Sequence, residues 1–137
     1  MTMAEDPIVT KNNDRKKRVM LVDDEVDVIS VLKIVLEVNG FQVDPFEDSI
    51  CALKSYKAGL YDLLILDIKM PEMDGFELYD EINKIDNKVK VCFLTASEMY
   101  YSKLRKEKYC SIDKDLFIQK LIENEDLVKA LSKILDS

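Results

Sequence analysis

Short apolar runs alternate along this chain with longer stretches in which apolar residues recur every three or four positions. Val19-Met20-Leu21-Val22, Leu63-Leu64-Ile65-Leu66 and Val89 to Leu94 are nearly continuous apolar runs closed by polar or turn residues. Such runs predict strands buried on both faces. Phe41 to Phe46 predicts a further strand, and Pro45 within it cannot donate to a ladder, which places that strand at a sheet edge. Leu116-Phe117-Ile118-Gln119 predicts a short last strand.

The stretches between the strands read as helices. From Val26 to Asn39 the residues Val28, Val31, Leu32, Val35 and Leu36 mark an inner face, and Asn39-Gly40 supplies a stop. Asp48 or Ser49 caps a helix carrying Ala52, Leu53 and Tyr56, with Gly59 ending it. Asp74-Gly75-Phe76-Glu77 has capping-box spacing and opens a helix to about Lys84. Ser97 caps a helix through about Glu107, with Tyr100, Tyr101 and Leu104 inward, whereas 106–115 supports no assignment. A last helix opens at Asn124 and carries the stripe Leu127, Val128, Leu131, Ile134 and Leu135.

Strand and helix thus alternate five times, which predicts a doubly wound α/β domain: a parallel sheet covered by helices on both faces, with right-handed crossovers. Residues 1–17 are polar and aperiodic and read as a flexible tail; residues 18–137 form one domain.

Composition narrows the function. A chain of 137 residues, 47% hydrophobic, fits one domain. A net charge of -7 argues against a nucleic-acid binder. No apolar run is long enough to cross a bilayer and no signal peptide is evident, so a soluble, cytoplasmic protein is expected. Cys51, Cys92 and Cys110 show no paired spacing and read as small buried hydrophobes. Histidine is absent, which removes the commonest general base and zinc ligand. Any chemistry must run on carboxylates, a hydroxyl, a lysine or a bound metal.

Parallel strands deliver their C-terminal ends to one rim, where ligands bind in open α/β sheets. The rim residues here are Asp23 and Asp24, Asp67, Thr95 and Lys120. Two like charges about 4 Å apart repel by about 4 kcal/mol at an effective dielectric of about 20, so clustered carboxylates call for a cation. Mg²⁺ suits a site of a few carboxylates, a backbone carbonyl and waters. Beside it Asp67 can act as a nucleophile toward phosphorus, with Lys120 and Thr95 receiving phosphoryl oxygens.

With Asp23-Asp24 after the first strand, Leu66-Asp67, Met70-Pro71 and Asp74-Gly75 after the third, Thr95-Ala96 after the fourth, and Phe117 three residues before Lys120, the chain resembles the receiver domain of two-component response regulators. The resemblance covers about Arg18 to Leu135 and implies the flavodoxin-like, CheY-like sheet order 2-1-3-4-5. It implies that Asp67 accepts a phosphoryl group from the phosphohistidine of a sensor histidine kinase or phosphotransfer protein. It also implies that Asp24 and Asp67, helped by Asp23 and the Lys69 backbone carbonyl, hold Mg²⁺. Thr95 and Phe117 would then switch the face of the fourth helix, fifth strand and fifth helix toward a downstream effector. The resemblance further implies a phosphoacceptor, monomeric or dimerising on phosphorylation, rather than an enzyme. No output domain follows the last helix, so a stand-alone regulator is expected.

Three departures from the family pattern stand out: Leu121 where a proline usually follows the lysine, a long stretch from Thr95 to Lys120, and Lys69 and Ser97 flanking the site. Two other readings keep the acids in different roles. One is a receiver-like module that binds without phosphorylation. The other is an aspartate-nucleophile Mg²⁺ phosphatase of the haloacid dehalogenase type, whose two acids would need to be one residue apart where Asp23 and Asp24 are adjacent. A flavodoxin-like FMN carrier is disfavoured by Asp23-Asp24-Glu25, which would repel phosphate.

Overall fold

A computed structural model describes residues 16–96, 116–120 and 124–136. The chain runs β1 (Arg18–Val22), α1 (Val26–Val38), β2 (Gln42–Phe46), α2 (Ser49–Ser55), β3 (Leu63–Asp67), α3 (Gly75–Ile85), β4 (Lys90–Thr95), β5 (Phe117–Gln119) and α4 (Asn124–Asp136). All strand pairs are parallel and the sheet order is β2-β1-β3-β4-β5. This is the expected 2-1-3-4-5 winding, with the Pro45 strand at an edge and Pro45 paired opposite Leu21.

Alternation along the central strands divides the core in two. Val19, Leu21, Leu63, Ile65, Cys92, Leu94 and Ile118 face one side and pack on α1 and α4. Met20, Val22, Leu64, Leu66, Val91 and Phe93 face the other and pack on α2 and α3. β3 is buried at all five positions because it lies in the middle of the sheet with helices above and below.

The helix ends follow the expected chemistry. Asp48 caps α2, accepting from the Ile50 and Cys51 amides. Asp74 and Glu77 form a reciprocal capping box on α3. Gly40 follows α1 with φ 92, a conformation glycine adopts freely. The α2 stop differs from expectation: the helix ends at Ser55, before Gly59 (φ 82), which lies in the following turn.

Two further expectations are corrected. Val31 is 59% exposed, and the buried face of α1 is Ile29, Leu32, Val35 and Leu36. At 100° per residue Ile29 falls with Leu32 and Leu36, whereas Val31 falls with the exposed Ile34 and Val38. Cys51 is exposed and only Cys92 is buried; Cys110 lies outside the described residues, as do the helix expected over 97–107, Tyr100, Tyr101 and Leu121.

Candidate functional site

The ends of β1, β3, β4 and β5 are tied so that acids, a threonine and a lysine gather at one cavity. After β1, the Asp23 amide donates to the Phe46 carbonyl at 3.1 Å, and Asp23 Oδ1 accepts from the Glu25 amide at 2.9 Å. That side-chain turn swings the chain into α1 and leaves Asp23 fully buried, with Asp24 and Glu25 exposed on the lip.

After β3, the Ile68 amide donates to the Leu94 carbonyl at 3.0 Å and its own carbonyl accepts from the Gly75 amide at 2.9 Å. The return is so tight that a Cβ on Gly75 would stand 2.3 Å from the Asp67 carbonyl oxygen. Within it the Met73 amide donates to the Pro71 carbonyl across Glu72, whose φ of 69 marks a strained three-residue turn. Asp67 is thereby held 3% exposed. After β4, Thr95 is buried and its carbonyl accepts from the Lys120 amide at 2.9 Å, which fixes where β5 ends.

Lys120 is the cation of the group. Its Nζ lies 3.2 Å from Asp67 Oδ2, 3.1 Å from Asp23 Oδ2 and 2.5 Å from Glu25 Oε1, with only 7% of the side chain exposed. Lys120 Nζ donates to Asp23 Oδ1 at 3.2 Å, whereas Asp23 Oδ2 makes no hydrogen bond among the described residues. Asp24, Glu25, Asp67, Lys69, Thr95 and Lys120 line one cavity of about 520 Å³ together with the loop after β3. Every rim residue expected from the sequence is therefore gathered here, with Asp23 beneath the floor. Phe117 sits apart from the cavity, half-buried, its ring 5.4 Å from Phe93 and 6.0 Å from Phe76.

Charge in the cavity is unbalanced. Burial, then the negative charge of Asp23, pushes the Asp67 carboxyl up to about 8 against the pull of Lys120. Burial raises Asp23 as well. For Lys120, burial works against the charged form, but Glu25, Asp67 and Asp23 outweigh it and hold the ammonium above its ordinary value. One buried ammonium does not neutralise these carboxylates. Asp23, Asp24, Glu25 and Asp67 each offer an oxygen, all within 4.8 Å of one another. With the Glu25 oxygen engaged by Lys120, the other three acids, one of them with a buried oxygen lacking a hydrogen bond, form an all-oxygen set that fits a hard divalent cation such as Mg²⁺.

Glu25 is the residue that sequence reasoning passed over. It was legible only as a third acid after β1; nothing in its spacing signals that it reaches Lys120, 95 residues away in the chain.

The doubly wound five-stranded parallel sheet thus brings acids, a threonine and a lysine together at one rim. The chain belongs to the response regulator receiver domain family, whose model matches residues 19–132. It is 29% identical over 122 residues to the transcriptional regulatory protein RprY of Bacteroides fragilis, covering 89% of this chain and 50% of that one. It is 39% identical over 79 residues to the transcriptional regulatory protein PrrA of Mycobacterium bovis, covering 58% of this chain and 34% of that one. The chain thus spans half or less of the length of these regulators. Among solved structures, the response regulator protein TrrA of Thermotoga maritima in complex with Mg(2+)-BeF superposes with a TM-score of 0.72 at 35% identity, over 86% of this chain and 98% of that one. Receiver domains serve phosphorylation-based two-component signalling and are phosphoacceptors rather than enzymes. No helix among the described residues is long and apolar enough to cross a membrane.

Proposed function

We propose that Asp67 is the phosphoacceptor of this receiver, taking its phosphoryl group from a phosphohistidine on a sensor histidine kinase or phosphotransfer protein in the cytoplasm. The observation that carries this reading is the placement of Asp67: buried, at the base of an open cavity, 3.2 Å from Lys120 and among further acids. An Asp67 carboxylate oxygen attacks phosphorus, the O–P bond forms as the P–N bond breaks, and the departing electron pair stays on the donor imidazole. Lys120 balances charge on the phosphoryl oxygens and the Thr95 hydroxyl donates to one. Asp24, Asp67 and the Lys69 carbonyl, helped by Asp23, would hold Mg²⁺, which when bound neutralises oxygens of the transferring group.

Phosphorylation draws Thr95 toward the cavity, and Phe117 follows deeper onto Phe93 and Phe76. β5 and α4 then present an altered face to an effector protein or to a second copy of the chain. Acetyl phosphate with Mg²⁺ tests the reading: the chain gains one phosphoryl group, mapped to the peptide containing Asp67, and EDTA prevents it. Label on any other residue overturns the assignment.

The metal assignment is tested by melting. Mg²⁺ raises the melting temperature of the wild type; Asp24→Asn raises it in metal-free buffer and abolishes the Mg²⁺ response. A response that survives the substitution removes Asp24 from the ligand set.

The protein donor also needs a surface to rest on. α1 begins on the cavity lip at Glu25 and exposes Val31, Ile34 and Val38 at i, i+3 and i+7 spacing. An exposed apolar stripe on the helix that starts at the site suits a helical donor. Ile34→Lys slows transfer from a cognate kinase by about tenfold or more, as expected for a charge set in the middle of an apolar contact. Labelling by acetyl phosphate, which needs no docking, is the control; equal slowing of both donors would place the effect in the cavity instead.

A further inference from the structure

Lys120 has three N–H bonds and three carboxylate partners, and the partners are not equivalent. Asp23 and Asp67 are buried and fixed by the hydrogen bonds that end β1 and β3. Glu25 is 58% exposed, stands on the cavity lip, and makes the shortest of the contacts, 2.5 Å. It occupies the N-cap position of α1, yet its side chain makes no capping hydrogen bond. Its backbone carbonyl accepts from the Val28 and Ile29 amides in the ordinary way. The Glu25 carboxylate can therefore leave Lys120 without unravelling α1, and once released it remains beside the helix N-terminus, where negative charge is favoured.

We propose that Glu25 is an internal stand-in for a phosphoryl oxygen: a positioning residue that holds Lys120 at the cavity lip and is displaced when Asp67 takes up a phosphoryl group. The proposal rests on the phosphoacceptor reading of Asp67. An incoming phosphoryl group is anionic, needs the Lys120 donor that Glu25 holds, and meets the Glu25 charge on entering. Glu25 thus acts as a gate on phosphoryl entry, and its release delivers a charge change to the start of α1.

The test compares wild type with Glu25→Gln and Glu25→Ala in the full chain, using acetyl phosphate at saturating Mg²⁺. Both variants label about three- to tenfold faster, since a competing negative charge at the entrance is gone while Asp23 and Asp67 still hold Lys120. Their Mg²⁺ affinities, by calorimetric titration, stay within about twofold of wild type, well under one tenfold step of 1.4 kcal/mol. In wild type, the carboxyl carbon signal of Glu25 shifts when beryllofluoride and Mg²⁺ are added together. Unchanged or slower labelling of both variants, or a stationary Glu25 signal, overturns the proposal. So does a marked loss of Mg²⁺ affinity in both, which would make Glu25 a metal ligand. Wild type that takes no label at Asp67 defeats the phosphoacceptor reading itself, a result distinct from wild type and variants labelling alike.

Discussion

Asp67→Asn takes up no phosphoryl group from acetyl phosphate or a phosphorylated kinase, and it melts at a higher temperature than wild type in metal-free buffer at neutral pH. The first effect is the removal of the nucleophilic oxygen: an amide at the base of the same cavity keeps the shape and loses the attacking carboxylate. The second comes from electrostatics. Asp67 titrates near 3.8 when free and is pushed up to about 8 in the fold by burial and by Asp23. Its contribution to stability is present in full below the unfolded value. It is lost as pH rises toward about 8, because the unfolded chain ionises this group freely and the folded chain does not. The asparagine variant removes that slope, so melting curves from acid to neutral pH diverge, with wild type falling behind. Because a change of 1 kcal/mol moves the midpoint of a small domain by roughly 4–8 °C, the difference is easily read. Asp23 is raised in the same direction, so part of the slope remains in the variant. Label surviving the substitution would move the acceptor to another residue. A lower melting temperature would show that the Asp67–Lys120 attraction outweighs the repulsion around it.

Gly75→Ala is the second large effect. The new methyl would stand 2.3 Å from the Asp67 carbonyl oxygen and 3.1 Å from both the Asp67 carbonyl carbon and the Ile68 Cα. All three are main-chain atoms, so no flexible side chain can move aside. The loop must open, which breaks or lengthens the Gly75-to-Ile68 hydrogen bond and shifts Asp67 relative to Lys120. A loss toward the upper end of the roughly 1–3 kcal/mol of forced overpacking is expected. It would be joined by slower labelling at Asp67 even below the melting transition. Gly59→Ala is the matched comparison: nothing lies within 4 Å of its Cβ, and its φ of 82 limits the cost to the backbone term of about 1 kcal/mol. If the two variants melt alike, the close approach at Gly75 is not what holds the loop.

The residues that bring Asp23, Asp24, Asp67, Thr95 and Lys120 together were legible because a buried strand announces itself by an unbroken apolar run. Its polar terminus then stands out against that run. The capping box at Asp74 and the edge position of Pro45 were legible for a local reason as well, since each depends on backbone amides within a few residues, two donated in the box and one missing at the proline. The orientation of α1 was not. Apolar residues lie on both sides of that helix, so periodicity alone could not tell Ile29, which is buried, from Val31, which is not. Cys51 was misplaced because a small thiol carries no signal of which way it faces, and here it leans on the exposed cap residue Asp48. Glu25 was missed for a third reason: its partner comes from the opposite end of the chain, and only the winding of the sheet brings the two together.

The sheet borders constrain how this receiver can be read by others. One border strand, β2, carries Pro45, which offers no amide, and Asp44, which is occupied by Arg18 at 2.8 Å and by the Tyr61 hydroxyl at 2.7 Å. The other, β5, is three residues long. Among the described residues neither offers a long unpaired edge on which a foreign strand could be laid. Recognition by β-augmentation is thereby designed out. A signal built at the strand tips has to leave through side chains on helices and loops, and unwanted edge-to-edge pairing of one copy's sheet with another's is suppressed by the same feature.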